Sequence, residues 1–339
     1  MSMKPVLARL GRGERLSAAE AEVTFGIVMD GAATPAQIGG MLMAMRARGE
    51  TVDELTGAVT AMRARMVRVA APANAMDVCG TGGDGAHSLN ISTAVTFVLA
   101  ACGVPVAKHG NRALSSRAGG ADVLVALGVN IEPPLARLSE ILAEAGCVFL
   151  FAPQHHPALR HAAAVRVELG TRTIFNLTGP MANPASVKRQ MIGVYDPAWL
   201  RPVAETLRDL GTEAAWVYHS AGLDELTLAG VNRVVALKQG QITEFTFTAA
   251  DAGLQTVPLD AIAGGDAAEN AAALVALLEG RRDGYRDTIL LNTAGALIVA
   301  GLVETLPQGV ERAAAALDSG AALRVLDRLR TASQELGIA

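Results

Sequence analysis

The stretch from Cys79 to Thr93, Cys-Gly-Thr-Gly-Gly-Asp-Gly-Ala-His-Ser-Leu-Asn-Ile-Ser-Thr, places glycines at 80, 82 and 85 in the G-x-G-x-x-G spacing. Glycines let a backbone come close to a ligand, and successive N–H groups ahead of a helix attract an anion. Taken alone, the pattern fits a dinucleotide-binding turn, another phosphate cradle or a plain glycine-rich loop. A dinucleotide turn needs an acidic residue about 20 residues further on to hold the ribose hydroxyls. No Asp or Glu stands between Asp84 and Asp122, and no G-x-x-x-x-G-K-[ST] occurs in the chain. The acid-free stretch instead carries Lys108, Arg112 and Arg117, with the hydroxyls of Ser88, Ser92, Thr93, Ser115 and Ser116. Cations and hydroxyls without competing carboxylates suit a polyanionic phosphate ligand. A solvated loop with a helix cap is the bland alternative.

Two further groups could do chemistry. Asp224-Glu225 follows the apolar run that ends at Tyr218. Adjacent carboxylates at the end of a strand can hold Mg²⁺ together with phosphate oxygens. They can equally serve as an N-cap Asp and a first-turn Glu, but a neighbouring phosphate cradle favours the metal. Arg166, in Val165-Arg-Val-Glu-Leu-Gly-Thr-Arg-Thr-Ile-Phe-Asn176, offers a planar fork that fits a carboxylate, or pairs at the surface. His155 and His156 are adjacent, so they cannot face one metal from a helix. His109 suits a general base or a core histidine. Met41, Met43 and Met45 read as packing.

These groups need elements to hold them. A chain of 339 residues exceeds one small core, so a large domain with a smaller one is expected. Apolar residues at 51% with aromatics at 4% suit helices and buried parallel strands. The N-terminal part, residues 1–72, reads as helical, with capping boxes at Ser17-Glu20, Thr34-Gln37 and Thr51-Glu54 and Pro35 at a first helical position. From Met76 onward, strand candidates 76–79, 104–107, 148–152, 190–195 and 214–219 alternate with helical stretches 91–102, 120–127, 135–145, 158–169 and 199–210. This predicts an α/β domain with a mostly parallel central sheet. Residues 232–248 read as a hairpin turning at Lys238-Gln239-Gly240-Gln241, and helices dominate from Asp266.

The net charge of −4 argues against nucleic acid or a membrane surface as partner. The apolar runs 91–107 and 289–303 are interrupted and shorter than the roughly 20 residues of a membrane span. The N-terminal MSMKPVLARLGRGERLS lacks the apolar core of an export signal. Cys79, Cys102 and Cys147 lie far apart and read as buried, reduced thiols of a cytoplasmic protein.

Several motifs, in order along nearly the whole chain, together resemble the anthranilate phosphoribosyltransferase family of tryptophan biosynthesis. They are Asp77-Val-Cys-Gly-Thr-Gly-Gly-Asp84, Asn90-Ile-Ser-Thr93, Lys108-His-Gly-Asn-Arg112, Ser115-Ser116, Val165-Arg166 with Arg172-Thr-Ile-Phe-Asn-Leu-Thr-Gly-Pro180, Asn183-Pro184 and Asp224-Glu225. The resemblance implies a homodimer of small-molecule substrate-binding chains. Each would have a small α-helical domain, 1–72 joined by a central segment of about 165–185, and a large α/β domain, 73–339. It implies transfer of the 5-phosphoribosyl group from 5-phosphoribosyl 1-diphosphate to anthranilate, with Mg²⁺, no covalent enzyme nucleophile, and hinge closure of the two domains on the substrates.

Carried onto this chain, the resemblance places the phosphoribosyl diphosphate on Gly80, Gly83, Asp84, Ser88, Asn90, Ile91, Ser92, Thr93, Lys108, His109, Gly110, Asn111, Arg112, Ala113, Leu114, Ser115 and Ser116. Anthranilate falls on Gly80, Asn111 and Arg166, with His109 and His156 near its path and Gly179-Pro180 lining it. Mg²⁺ falls on Ser92, Asp224 and Glu225. One departure is local: where the family reads Ser-Ser-Lys-Ser-Gly-Ser-Ala-Asp, residues 115–122 are Ser-Ser-Arg-Ala-Gly-Gly-Ala-Asp. Gly120 therefore stands at a phosphate-binding hydroxyl position, with Arg117 as a substitute donor. The pyrimidine nucleoside phosphorylases of the same fold group usually lack the adjacent Asp-Glu pair.

Overall fold

Ser17, Thr34 and Thr51 each accept the backbone N–H three residues on, and Glu20, Gln37 and Glu54 reach back to the cap N–H. The three expected capping boxes are thus formed. The structure, a computed structural model, describes residues 2–113 and 117–335. Helix α1 (Met3–Leu10) precedes the capped helices α2 (Ala18–Met29), α3 (Pro35–Arg48) and α4 (Val52–Arg65). Helices α2 and α4 pack at backbone distance, because a β-carbon at Gly57 would overlap the Ala18 carbonyl.

The chain then alternates β1 (Met76–Gly80), α5 (Ile91–Ala101), β2 (Val106–Gly110), α6 (Gly120–Ala126), α7 (Leu138–Ala145) and β3 (Cys147–Phe151). Next come α8 (Ala152–His155), α9 (Arg160–Leu169), α10 (Phe175–Met181), β4 (Arg189–Gly193), α11 (Leu200–Asp209), β5 (Ala214–Ser220), β6 (Asn232–Lys238) and β7 (Gln241–Phe247). Four helices close the described chain: α12 (Ala267–Leu278), α13 (Gly284–Ala300), α14 (Leu306–Asp318) and α15 (Ala321–Gln334). The strands form one sheet in the order β3-β2-β1-β4-β5-β6-β7. Pairs from β3 to β5 are parallel, and the β6–β7 hairpin adds two antiparallel edges.

Strand β2 differs from the sequence expectation. It starts at Val106 rather than Val104, because Gly103 (φ 90°) and Pro105 make the turn off α5 and Pro105 has no N–H to give a ladder. The strand therefore runs on through Lys108 and His109, which stand inside it rather than beyond its end.

Alternation along the central strands divides the interior. Trp216 and Tyr218 of β5 join a core with α5, α13 and α15, while Ala215 and Val217 join a second core with α11. That second core continues without a break into the helical unit, through Phe25, Met41 and Met62, and into Val165, Phe175 and Met181 of the central segment. Arg63 Nε donates to the Met181 carbonyl at 2.9 Å, tying α4 to α10. Where the chain passes between the units, the passages bond to each other: Val67 N–H donates to the His155 carbonyl at 2.8 Å, and Val69 N–H to the Pro184 carbonyl at 3.1 Å.

Candidate active site

The strand order reverses between β1 and β4: the chain steps outward from β1 to β2 and β3, then returns to the other side of β1. Open parallel sheets bind ligands beyond the carboxyl ends of their strands at such a point. Gly80 and Gly193 are register partners at those two ends. A β-carbon on Gly80 would overlap the Asp224 carboxylate, and one on Gly193 would overlap the Asp224 backbone. The glycine pair therefore leaves the gap that the loop after β5 fills with Asp224.

In that gap Asp224 Oδ2 accepts the Gly82 N–H at 2.6 Å, and Glu225 Oε1 accepts the Ser92 N–H at 3.3 Å. The reading in which these acids cap a helix of their own does not hold, since no helix follows them before β6. Glu225 instead faces the N-terminus of α5, where Asn90 makes no side-chain cap. Both carboxylates are buried, with 8% of each exposed. Burial raises both pKa values; the Asp84 charge raises Asp224 further, and the Asp224 charge raises Glu225 further. Glu225 Oε2 has no hydrogen-bond partner. Buried Lys108 donates from Nζ to the Val78 carbonyl at 2.7 Å and to Ser92 Oγ at 3.1 Å. Among the described residues no set of three His, Cys, Asp or Glu forms a closed metal cage. Two close carboxylates short of positive charge, one with an orphaned oxygen, fit a Mg²⁺ ion that takes its remaining ligands from water and phosphate.

The glycine loop itself adopts positive φ at Gly82, Gly83 and Gly85, which explains their type. Ser88 pairs with Ala263, and Asn90 spans the loop by donating to the Ala118 carbonyl at 3.3 Å and accepting from Asn270 at 2.8 Å. Thr93 is buried, and a β-carbon at Gly120 would lie 3.1 Å from its Oγ1. The hydroxyl absent at 120 would thus have stood beside Thr93. Arg117 is exposed, and Asn111 Oδ1 accepts the Arg112 N–H at 2.8 Å. Arg112 is engaged by Asp122 at 3.0 Å. The same carboxylate accepts the N–H groups of Ala113 and Gly119, both at 3.0 Å, and so clamps the two ends of the loop between them. Leu114, Ser115 and Ser116 lie outside the described residues.

The central segment faces the loop. His109 Nδ1 lies 3.2 Å from the Gly179 carbonyl, and its ring sits 5.0 Å from that of His156. Burial and the neighbouring histidine hold His109 well below the ordinary imidazole range, and burial takes His156 down to about 4. Both rings are neutral at physiological pH, and the Nε2 of each is buried without a partner. Arg166 stacks over the Phe175 ring at 5.4 Å, is partly desolvated, and has no carboxylate partner among the described residues. Beneath both sides lies a clasp that the motifs did not reveal. Asp77, fully buried, accepts the His109 N–H at 3.2 Å and the Asn183 Nδ2 at 2.8 Å, and the same Nδ2 donates to the Ala107 carbonyl at 2.8 Å.

Comparison with known proteins agrees with this arrangement. A glycosyl transferase family α/β domain matches residues 72–323, and the helical bundle domain of the same family matches residues 4–66. An anthranilate phosphoribosyltransferase of Sinorhizobium medicae is 56% identical over 331 residues, 98% of either chain. The crystal structure of the Thermus thermophilus anthranilate phosphoribosyltransferase superposes with a TM-score of 0.92 at 41% identity, covering 97% of this chain and 99% of that one. The Saccharomyces cerevisiae enzyme in complex with PRPP and Mg shares the fold, with a TM-score of 0.89 at 23% identity, covering 98% of this chain and 97% of its own.

Proposed function

The chain belongs to the anthranilate phosphoribosyltransferase family, and from that membership we propose how its residues carry the reaction. The reaction moves the 5-phosphoribosyl group from 5-phosphoribosyl 1-diphosphate to anthranilate, giving N-(5-phosphoribosyl)anthranilate and diphosphate. The observation that carries the assignment is the Asp224-Glu225 loop seated between Gly80 and Gly193, with Lys108 and Ser92 beside it.

The diphosphate lies along the backbone N–H groups of Gly80–Gly83 with Asp84, Ser88, Asn90–Thr93 and Lys108, and the 5-phosphate against His109–Ser116. As the C1–O bond to diphosphate breaks, negative charge grows on the leaving oxygens. Lys108 and the loop N–H groups are already oriented to meet it, so little reorganisation is needed. Asp224, Glu225 and Ser92 would hold Mg²⁺, which when bound neutralises diphosphate oxygens and so aids their departure. Binding of Mg by the yeast enzyme, in its complex with PRPP and Mg, supports this choice.

Anthranilate brings a neutral amine that is already nucleophilic. It needs placement and exclusion of water more than deprotonation. Arg166 pairs with its carboxylate, and Asn111, Gly80 and Pro180 border the ring. His109, with its Nδ1–H on the Gly179 carbonyl, offers Nε2 as an acceptor. It orients the amine by accepting one of its N–H groups, and the proton freed once the C–N bond forms passes to the departing diphosphate or to water.

The functional unit proposed is a homodimer of two-domain protomers: 1–72 with the central segment 165–185 as the small domain, and 73–339 as the large one. Shared packing of Val165, Phe175 and Met181 with α2–α4 supports the grouping. The three buried free thiols support a reducing, cytoplasmic setting, and no described helix is long and apolar enough to cross a membrane.

Loss of anthranilate fluorescence with 5-phosphoribosyl 1-diphosphate and Mg²⁺ tests the roles. Asp224→Ala is expected to lower turnover at least about a hundredfold. Arg166→Ala is expected to raise the KM for anthranilate about tenfold or more, with the donor KM little changed. Parent-like kinetics in either folded variant would overturn that residue's role.

A further inference from the structure

Arg172 sits in the turn between α9 and α10, on the segment that packs with the helical unit. Its guanidinium lies over the Tyr195 ring at 4.2 Å, and no carboxylate among the described residues pairs with it. The side chain passes the glycine loop closely: a β-carbon at Gly83 would stand 3.9 Å from Arg172 Nε. Tyr195, the shelf beneath it, follows β4, and its N–H donates to Thr81 Oγ1 at 3.1 Å. Shelf and glycine loop are therefore fixed to each other, and the arginine lies on the first and passes beside the second. An exposed arginine usually pairs with an acid or trails into water. This one is held by an aromatic face alongside an anion-binding backbone, with its donors unspent.

We propose that Arg172 binds the leaving diphosphate of 5-phosphoribosyl 1-diphosphate, as a cation supplied to the glycine loop from the opposite side of the cleft. This rests on the placement of the diphosphate on the Gly80–Gly83 loop. Lys108 reaches the site from within the sheet. Arg172 reaches it from the segment carrying Arg166, so one short stretch of chain serves both substrates. The guanidinium fork matches two diphosphate oxygens, and the Tyr195 face holds it in place.

The test compares the parent with Arg172→Gln, Arg172→Lys, Tyr195→Leu and Lys108→Gln, all in the full chain with Mg²⁺. The readouts are the two KM values and inhibition by inorganic diphosphate. Arg172→Gln is expected to weaken diphosphate inhibition and raise the donor KM about tenfold, while the anthranilate KM stays within about twofold. Arg172→Lys recovers part of the loss, and Tyr195→Leu reproduces part of it in the same two constants. Unchanged diphosphate inhibition in Arg172→Gln, or an equal rise in both KM values, would overturn the proposal. If Lys108→Gln weakens inhibition while Arg172→Gln does not, only Arg172 is misassigned; if neither does, the diphosphate placement itself falls.

Discussion

Asp77 is a carboxyl on which both walls of the cleft meet, through His109 and Asn183. Burial pushes its pKa up to about 6, against the pull of Lys108 and of the hydrogen bonds from Asn183 and His109. The fold thus holds this proton more tightly than the unfolded chain does. The stability so gained is complete below the ordinary carboxylate range and is lost as pH rises through about 6. Asp77→Asn cannot lose that proton. Its stability relative to the parent should improve between about pH 5 and about pH 8, by about 1.4 kcal/mol. Urea titrations at the two pH values measure this, and a constant gap would mean that Asp77 is equally ionised in fold and unfolded chain. The side chains gathered in motifs, from Asp84 to Glu225, were legible in the sequence because their types and order are those of a known family. The Asp77–Asn183 clasp was not legible. Its partners stand 106 residues apart, and only the adjacency of β1 and β2 to the α10 turn brings them together.

At the level of elements, capping boxes announced α2, α3 and α4, and alternating apolar runs announced the strands, because both signals are local. What a neighbour demands of a residue is not local. Gly57 and Gly193 look like ordinary glycines in the sequence, yet each faces another backbone where a methyl group would overlap. Their substitutions should fail differently. Gly57→Ala forces α2 from α4 and should destabilise by about 1–3 kcal/mol, read from the denaturation midpoint, with the KM values of the folded fraction unchanged. Gly193→Ala displaces the Asp224 backbone and should lower turnover at least about a hundredfold, as measured by anthranilate fluorescence. A Gly193→Ala protein as active as the parent would mean that the loop can be seated elsewhere.

For the whole molecule, the helical unit and the sheet share one continuous apolar core, and the chain passages between them are bonded at Val67–His155 and Val69–Pro184. If the units close on their substrates, they turn about those passages. Addition of both substrates, or of donor with Mg²⁺, should reduce the radius of gyration in small-angle scattering, and an unchanged value would exclude closure. Val23, Met43 and Val167 are exposed on α2, α3 and α9, with Val167 78% exposed. If these helices meet a second copy, Val167→Asp should shift sedimentation from dimer toward monomer. The glycine pair at the switch point has one more consequence. Much of the donor side is made of main chain, which offers a laboratory selection little to vary, whereas the acceptor side is made of side chains on a replaceable segment. Selection for transfer to other aromatic amines should therefore return substitutions between residues 155 and 183, and leave positions 80 and 193 untouched.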